Sequence, residues 1–585
     1  MRILFLTHSF NSLAQRLYVE LSRRGHEVSI EFDINDAVAL EAVALFRPDA
    51  IVAPFLKRAI PEAVWRHCPC FVVHPGIPGD RGPSSLDWAI LEGERDWGVT
   101  VLQANAVLDG GEVWASRAFA MREARKSSLY RNEVTEAAAA AVPEALERFE
   151  RGGFVPGRCE PGMPGIRARA RPPVRQEDRH IDWTRDDTRT VLRKLDASDG
   201  FPGVLDRIAG IECFLFDGRR EARLGGAEPG ALLARRQGAL CRATVDGAVW
   251  IGHAKRRSPQ PSFKLPAAQA LPEAAALVPE SAPATLPRRD SATWQDIGYE
   301  EEAGVGYLHF DFYNGAMSTG DCLRLRDAFL EAARRTTRVI VLTGGTDFWS
   351  NGIHLNCIEA AESPADESWA NINAMDDLCK AVLECGTQLT VAAMCGNAGA
   401  GGVFLALAAD RVLARSGIVL NPHYRGMGNL YGSEYWTYLL PGRVGEQRAQ
   451  EITRMRLPMG AQEARRLGLV DDCFGEGVPE FLARVRAQAM ELAAREDFDR
   501  LLALKLEARE RDERRKPLET YREEELERMR LDFYGFDPSY HVARYHFVHR
   551  VPHAWTPLHL APHRRNLWRN QASLAARSHA GENSR

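Results

Sequence analysis

Val72-Val-His-Pro-Gly-Ile-Pro-Gly-Asp-Arg-Gly-Pro-Ser-Ser-Leu-Asp-Trp-Ala-Ile90 puts a titratable ring, His74, at the end of an apolar run and follows it with glycines and prolines. An apolar run bounded by turn residues reads as a strand buried on both faces, so His74 stands at a strand end. The pattern repeats upstream. Residues 2–7 are apolar, Ser12 can cap a helix running to Arg24, and Gly25 ends it. A strand at 27–32, a helix near 36–45 and a strand from Asp49 to Pro54 follow. Strand–helix alternation at this spacing predicts an open parallel, Rossmann-like sheet with helices on both faces. Ligands of such sheets bind at the carboxyl ends of the strands, which is where His74 lies.

A chain of 585 residues exceeds one hydrophobic core, so roughly three or four domains are expected. The net charge of −4 and the mixing of arginines with acids give no basic field for nucleic acid. No run of about 18 apolar residues is present to span a membrane. The eleven cysteines are scattered, and Cys68-Pro-Cys70 has no second pair to complete a zinc site. Reduced thiols in a cytoplasmic protein fit that pattern.

Downstream, residues 126–152 read as helix, and Arg171-Pro172-Pro173 as a boundary. From 180 to about 255 come short strands with Gly-rich turns, including a hairpin around Asp246-Gly247, as in a small β-barrel. Residues 258–292 are rich in Pro and Ala and read as a linker strapped along the surface. A second α/β unit starts near 296, with strands at 304–310, 338–343, 390–394 and 411–414 and helices at 320–335 and 403–409. Residues 502–530 alternate acids and bases on a helical pattern and read as a solvated helix. The six histidines between Phe536 and His563 lack a metal-ligand set and read as a packed strap. The last dozen residues have no apolar periodicity and read as disordered.

His74-Pro75-Gly76, Arg81-Gly82-Pro83, Trp88-Ala89-Ile90, Gly98-Val99-Thr100 and Leu108-Asp109-Gly110-Gly111 occur in the order found in the 10-formyltetrahydrofolate formyltransferase family. The chain resembles that family over 1–170. Its barrel segment resembles the family's second domain through Ile181-Asp182-Trp183 and Gly200-Phe201-Pro202-Gly203. The resemblance implies a formyl-folate pocket, with His74 and Asp109 catalytic and Arg81, Gly82 and Gln103 in the folate-binding region. The residue types suit the chemistry. Formyl transfer passes through an oxyanion and needs a proton delivered to the departing nitrogen; an imidazole serves near neutral pH, and a carboxylate can orient it. One departure stands out. The family's Asn-x-His reads Val72-Val73-His74 here, which removes an expected oxyanion donor. Asn105 or a backbone amide is the candidate substitute.

Phe348-Trp349-Ser350-Asn351-Gly352-Ile353-His354 and Gly396-Asn397-Ala398-Gly399-Ala400-Gly401-Gly402 resemble the crotonase, or enoyl-CoA hydratase/isomerase, superfamily. The resemblance implies that the amides of Ile353 and Gly401 face a thioester oxygen, with Gly352 and Gly402 in the CoA-binding region. Two N–H donors of this kind stabilise an enolate or tetrahedral oxyanion. The positions of the hydratase glutamate pair hold Phe404 and His423, so hydration is not expected. Glu434, in an aromatic segment, is the candidate base together with Tyr424.

The fold expected is therefore α/β multidomain. A formyltransferase sheet (1–170) and a small β-barrel (171–257) are followed by a Pro/Ala-rich linker (258–295), a crotonase-like domain (296–500) and a helical C-terminal extension (501–585). The simplest species shared by a folate-formyl half and a CoA half is formyl-CoA. The pairing, with Phe312–Ser318, Ala365–Trp369, Gly428–Trp436 and Tyr534–Tyr540, resembles a family of hydrogenase maturation factors. That resemblance implies formyl transfer from 10-formyltetrahydrofolate to coenzyme A and decarbonylation to CO for [NiFe]-hydrogenase. It implies small-molecule substrates, hydrogenase maturation proteins or the hydrogenase large subunit as partners, and no metal, nucleic acid or membrane. Two other readings stay open: a formyl-folate hydrolase or transferase with an acyl-CoA hydratase/isomerase half, and a non-catalytic assembly protein.

Overall fold

The computed structural model describes residues 1–159, 163, 166–167 and 169–565; the expected disorder of the last dozen residues falls outside them. The chain forms two compact units. One comprises 1–123, 129–174 and the described residues from 552 onward; the other comprises 124–128 and 175–551.

The first unit is built on six strands: β1 (Arg2–Thr7), β2 (Glu27–Phe32), β3 (Ala50–Ala53), β4 (Cys70–His74), β5 (Asp96–Gln103) and β6 (Val113–Ala120). Their order is β2-β1-β3-β4-β5-β6. The first four are parallel, as the alternation predicts. β5 and β6 run antiparallel, which it does not. After β4 the chain passes through α3 (Ser85–Glu92) and returns alongside in the opposite sense. Apolar patterning does not distinguish the two directions for a buried strand. α1 (Ser12–Arg23) is capped by Asn11 rather than Ser12, because Ala14 N–H donates to Asn11 Oδ1 at 3.0 Å. α2 (Asp36–Phe46) is capped by Asn35. Residues 126–151 are helical with one π turn at Tyr130–Val134, the last part being α4 (Thr135–Arg151).

The edge strand β2 is covered by residues 552–565. Ile30 N–H donates to Leu560 C=O (2.9 Å), and Phe32 N–H to Thr556 Oγ1 (2.9 Å). Glu31, fully buried, accepts from His563 Nε2 (3.0 Å), from Arg564 Nε (2.6 Å) and from the Thr556 hydroxyl. His553 stacks on Phe32 with ring centroids 4.6 Å apart. This end of the His-rich segment is a packed strap, as its sequence suggests.

In the second unit β7 (Val204–Ile208), β8 (Ile211–Glu221), β9 (Leu232–Arg236), β10 (Ala239–Ala243), β11 (Ala248–Arg256) and β12 (Leu265–Pro266) form one antiparallel sheet, ordered β9-β10-β11-β8-β7 with β12 added to β11. Among the described residues no ladder joins β7 to β9. α5 (Thr188–Ser198) packs on it through Val191 and Leu195. The Pro/Ala-rich segment is no loose linker: Ala267, Ala270, Leu271 and Ala274 are part of this core.

The crotonase-like part has two sheets. β13 (Ile297–Glu302), β14 (Val305–Phe310), β15 (Val339–Thr343), β17 (Leu389–Met394), β19 (Arg411–Arg415) and β22 (Asp472–Phe474) are hydrogen-bonded in that order. β16 (Phe348–Ser350), β18 (Asn397–Gly399), β20 (Val419–Asn421) and β21 (Met459–Gly460) form the second. Around them lie α6 (Thr319–Ala332), α7 (Pro364–Leu383), α8 (Gly401–Leu407) and α9 (Trp436–Val444). Ser318 and Asp321 form a reciprocal capping box on α6; Ser363 caps α7, with Pro364 in its first turn.

The charged helix expected at 502–530 is two helices, α10 (Phe498–Arg515) and α11 (Leu518–Tyr534), separated at Pro517, where a proline disfavours helix at the residue before it. α11 is not simply solvated. It buries Leu518, Glu525, Met529 and Phe533. α12 (Ser539–His549) follows, and its Tyr540 hydroxyl lies 2.7 Å from Ser368 Oγ of α7.

Candidate active sites

His74 ends β4 in the first unit, and its ring is buried. The turn after it is pinned from outside the loop: Trp97 Nε1 donates to Pro75 C=O (2.9 Å) and Thr100 Oγ1 to Gly76 C=O (2.7 Å). Gly76 is required by contact, since a Cβ there would lie 2.3 Å from His74 Nε2. The ring stands between two carboxylates. His74 Nδ1 is 3.6 Å from Asp109 Oδ2, and Nε2 is 3.5 Å from Asp80 Oδ2. Among the described residues, Nε2 has no hydrogen-bond partner.

Asp109 has positive φ (50°) and accepts the Gly82 amide at 3.1 Å, so the two Gly-containing motifs are joined through its side chain. Gly111 lets that turn close, since a Cβ there would be 1.7 Å from Gln103 C=O. Arg81 donates to Cys159 C=O (3.1 Å), and the Gln103 amide oxygen accepts from Trp114 (3.0 Å). Asp80 was not among the residues singled out from sequence. It accepts from Ser85 Oγ (2.5 Å) and lies 3.6 Å from Arg171. Its place in the same Pro/Gly run as His74 was the available signal. Val72 packs with the apolar core beside β4, so it offers no donor. Asn105 Oδ1 caps its own turn by accepting Val107 N–H (2.8 Å).

The second constellation lies in the crotonase-like part. Gly352 has φ of +77°, and a Cβ on it would be 3.3 Å from Gly401 N, so the two glycine segments touch. Met317 N–H donates to Gly352 C=O (2.9 Å). In a trans peptide the next N–H, that of Ile353, points the opposite way. Val403 N–H donates to Ala400 C=O (3.0 Å), which orients the Gly401 N–H in the same manner. Neither Ile353 N–H nor Gly401 N–H has a partner among the described residues. Gly402 allows close approach of β16, since a Cβ would meet Ser350 C=O at 2.1 Å, and its own carbonyl accepts from Trp349 Nε1 (2.8 Å).

Glu434 comes to this point from another part of the chain. A Cβ on Gly401 would lie 2.0 Å from Glu434 Oε1, so the carboxyl rests on the Gly401 α-carbon. Tyr424 Oη is 2.5 Å from Glu434 Oε2, and the Tyr424 ring stacks on Phe404 at 5.5 Å. Phe404, at one hydratase glutamate position, is thus an apolar wall behind Tyr424. His423, at the other, is half-buried. Burial first, and then the negative charge of Asp376, hold the Glu434 carboxyl well above the usual range, although the Tyr424 hydroxyl pulls the other way. Burial and the Glu434 charge raise the Tyr424 phenol as well.

Glu434 and Tyr435 both have left-handed backbone, φ 61° and 58°, which costs about 1–2 kcal/mol for each non-glycine residue. Their amides donate to Asp376 Oδ1 (2.7 Å) and Glu525 Oε2 (2.9 Å). Sequence reasoning missed both acids. Glu525 was read as part of a solvated charge run, yet Leu518, Glu525, Met529 and Phe533 form one helical stripe with an acid set among apolar residues. Among the described residues no group of three or more His, Cys, Asp or Glu side chains is placed to hold a metal, and no helix is long and apolar enough to cross a membrane.

Fold and sites define the class: a formyltransferase-type pair of domains joined to a crotonase-type domain. Formyl transferase family profiles match residues 31–146 and, for the C-terminal domain, 173–262; the enoyl-CoA hydratase/isomerase profile matches 300–532. The chain is 28% identical over 214 residues to methionyl-tRNA formyltransferase of Anaeromyxobacter dehalogenans, covering 35% of this chain and 67% of that protein. It is 56% identical over 565 residues to hydrogenase maturation factor HoxX of Bradyrhizobium diazoefficiens, covering 96% of this chain and 97% of the relative. The crystal structure of HypX from Aquifex aeolicus in complex with tetrahydrofolic acid matches with a TM-score of 0.93 at 51% identity, over 97% of this chain and 99% of that one. The chain belongs to the HoxX/HypX family of hydrogenase maturation factors.

Proposed function

We propose that this chain moves the formyl group of 10-formyltetrahydrofolate to coenzyme A at the His74 site. It then breaks formyl-CoA into carbon monoxide and CoA at the Glu434 site, and the CO serves the [NiFe]-hydrogenase active site. The observation that carries the reading is the placing of one buried carboxyl, Glu434, on the α-carbon of Gly401. Phe404 and His423 stand where a hydratase has its two glutamates. That arrangement suits proton removal beside a polarised carbonyl and lacks the pair that activates water. Tetrahydrofolic acid bound by the Aquifex relative, and the maturation role in the name of the Bradyrhizobium one, support the same assignment.

In the first step a C–S bond forms to the formyl carbon and the C–N bond to folate breaks. The thiol proton ends on the folate nitrogen, and His74 carries it between them. Asp80 and Asp109 flank the ring at 3.5 and 3.6 Å and hold its orientation. In the second step Glu434 takes the formyl proton, the C–S bond breaks with its electron pair leaving on sulfur, and CO is released. Glu434 then returns the proton to the thiolate, so the net change is formyl-CoA to CO plus CoA. The amides of Ile353 and Gly401 would hold and polarise the formyl carbonyl oxygen, which makes the proton on its carbon easier to remove.

This reading carries domain limits of 1–170, 171–257, 258–295, 296–500 and 501–585. It makes the chain cytoplasmic, with hydrogenase maturation proteins or the hydrogenase large subunit as partners. The test is headspace CO from the full-length protein given 10-formyltetrahydrofolate and CoA. Glu434→Gln should lower CO release roughly 10²-fold, the scale of a lost general base, and formyl-CoA should accumulate in its place. CO release at the wild-type rate from this variant refutes the assignment.

A further inference from the structure

The turn that carries Glu434 is built on anions. Ser433 Oγ donates to Asp376 Oδ2 (2.8 Å) and the Glu434 amide to Asp376 Oδ1 (2.7 Å). The Tyr435 amide donates to Glu525 Oε2 (2.9 Å), and the Thr437 amide and hydroxyl donate to Glu525 Oε1 at 2.8 and 2.5 Å. The donors of this turn are shared between two side-chain carboxyls from helices distant in sequence, α7 and α11, and both carboxyls are fully buried.

We propose that Asp376 and Glu525 are positioning residues for Glu434: they hold the 433–437 turn so that its carboxyl rests against Gly401, and they face that carboxyl with negative charge. The inference rests on the reading of Glu434 as the base for formyl-CoA breakdown. A formyl proton is weakly acidic, so a carboxylate of ordinary strength is a poor base for it. Buried like charges make a stronger one. The groups facing Glu434 are few. They are Tyr424 from the loop after β20, Asp376 and Cys379 from α7, Cys322 from α6, and Glu525 from α11. Arg522 of α11 is turned to Asp377 (2.8 Å) and lies 3.8 Å from Asp376. Burial also pushes Asp376 up to about 7 and Glu525 up to about 8, so each turns its full negative charge on Glu434 only as the pH rises past that value.

Asp376→Asn and Glu525→Gln each keep one acceptor oxygen for the turn and remove the charge. Both are made in the full-length protein. CO release from formyl-CoA is followed against pH, and the Glu434 carboxyl is titrated by its infrared band, assigned as the difference from Glu434→Gln. Each variant should move the rate midpoint and the band midpoint to lower pH by roughly 1 unit or more, the effect expected of removing a like charge. The plateau rate should fall with little change in KM. A fall in rate with both midpoints unmoved means a merely structural role and overturns the proposal. So does a wild-type Glu434 band that titrates in the ordinary carboxylate range, an outcome that needs neither variant to fold. If Glu434→Gln keeps full CO release, the base assignment fails, while the infrared midpoints still decide whether Asp376 and Glu525 govern Glu434.

Discussion

Gly401→Ala isolates the placing of the base from its chemistry. The backbone amide survives the change, and Gly401 has ordinary helical backbone at the start of α8, where alanine is the better helix former by about 1 kcal/mol. The new methyl carbon, however, would sit 2.0 Å from Glu434 Oε1 and 2.5 Å from its carboxyl carbon. Ordinary contact begins near 3.4 Å, so the carboxyl must retreat by about 1.4 Å. Tyr424 and the Asp376-anchored turn resist that retreat. A misplacement of about 1 Å can lower a rate 10²-fold, so CO release from formyl-CoA should drop by roughly that factor. The thermal unfolding midpoint should fall modestly, since overpacking a buried site costs about 1–3 kcal/mol and outweighs the gain in helix propensity. CO is read by its binding to reduced haemoglobin, and folding by circular dichroism. Wild-type CO release in a folded Gly401→Ala protein refutes the claim that Glu434 acts from its place on Gly401.

At the first site, His74→Ala should abolish consumption of 10-formyltetrahydrofolate in a folded protein, and Asp109→Asn should lose most of it; tetrahydrofolate formation followed by absorbance checks both. Tyr424→Phe should lower CO release less than Glu434→Gln does, since it removes one hydroxyl and leaves the carboxylate, as single-turnover rates on formyl-CoA will show. CO release should rise with pH, because the working form of Glu434 is ionised and its proton is held more tightly than an ordinary carboxyl holds one. A rate that falls across neutral pH contradicts this. Glu525 binds its proton up to about 8 when folded, against an ordinary value of 4.5. Its contribution to stability is full below pH 4.5 and is lost as pH rises through 8. The unfolding midpoint of wild type minus that of Glu525→Gln should therefore fall over that window and then level.

The readable parts of the sequence were those where backbone contact dictates the residue. Gly76 beside His74, Gly111 beside Gln103 and Gly402 beside Ser350 tolerate no side chain, and such constraints leave motifs. Glu434 was singled out by elimination, since the two hydratase glutamate positions hold Phe404 and His423. Asp376 and Glu525 left no motif. Each is one acid in a charged helix, and which face of α7 or α11 is buried depends on partners far away in the chain. The reversed strand β5 and the packed Pro/Ala segment escaped for a related reason. Strand direction and the docking of Leu271 are tertiary outcomes, and a local pattern does not carry them.

The strap over β2 has a consequence for synthesis. His563, which bonds Ser29 of β2, is 534 residues further on. At about 5–20 residues per second, the ribosome needs roughly 30–100 s to make the segment that covers this edge. Throughout that time the N–H and C=O row of β2 is an open template for another strand, the kind of edge that invites pairing between chains. Glu31 stands near its end, an acid whose partners Thr556, His563 and Arg564 do not yet exist. An unpaired charge on an open strand discourages a second chain from docking there. The same carboxylate that later seals this edge thus acts as a gatekeeper until residues 552–565 are made.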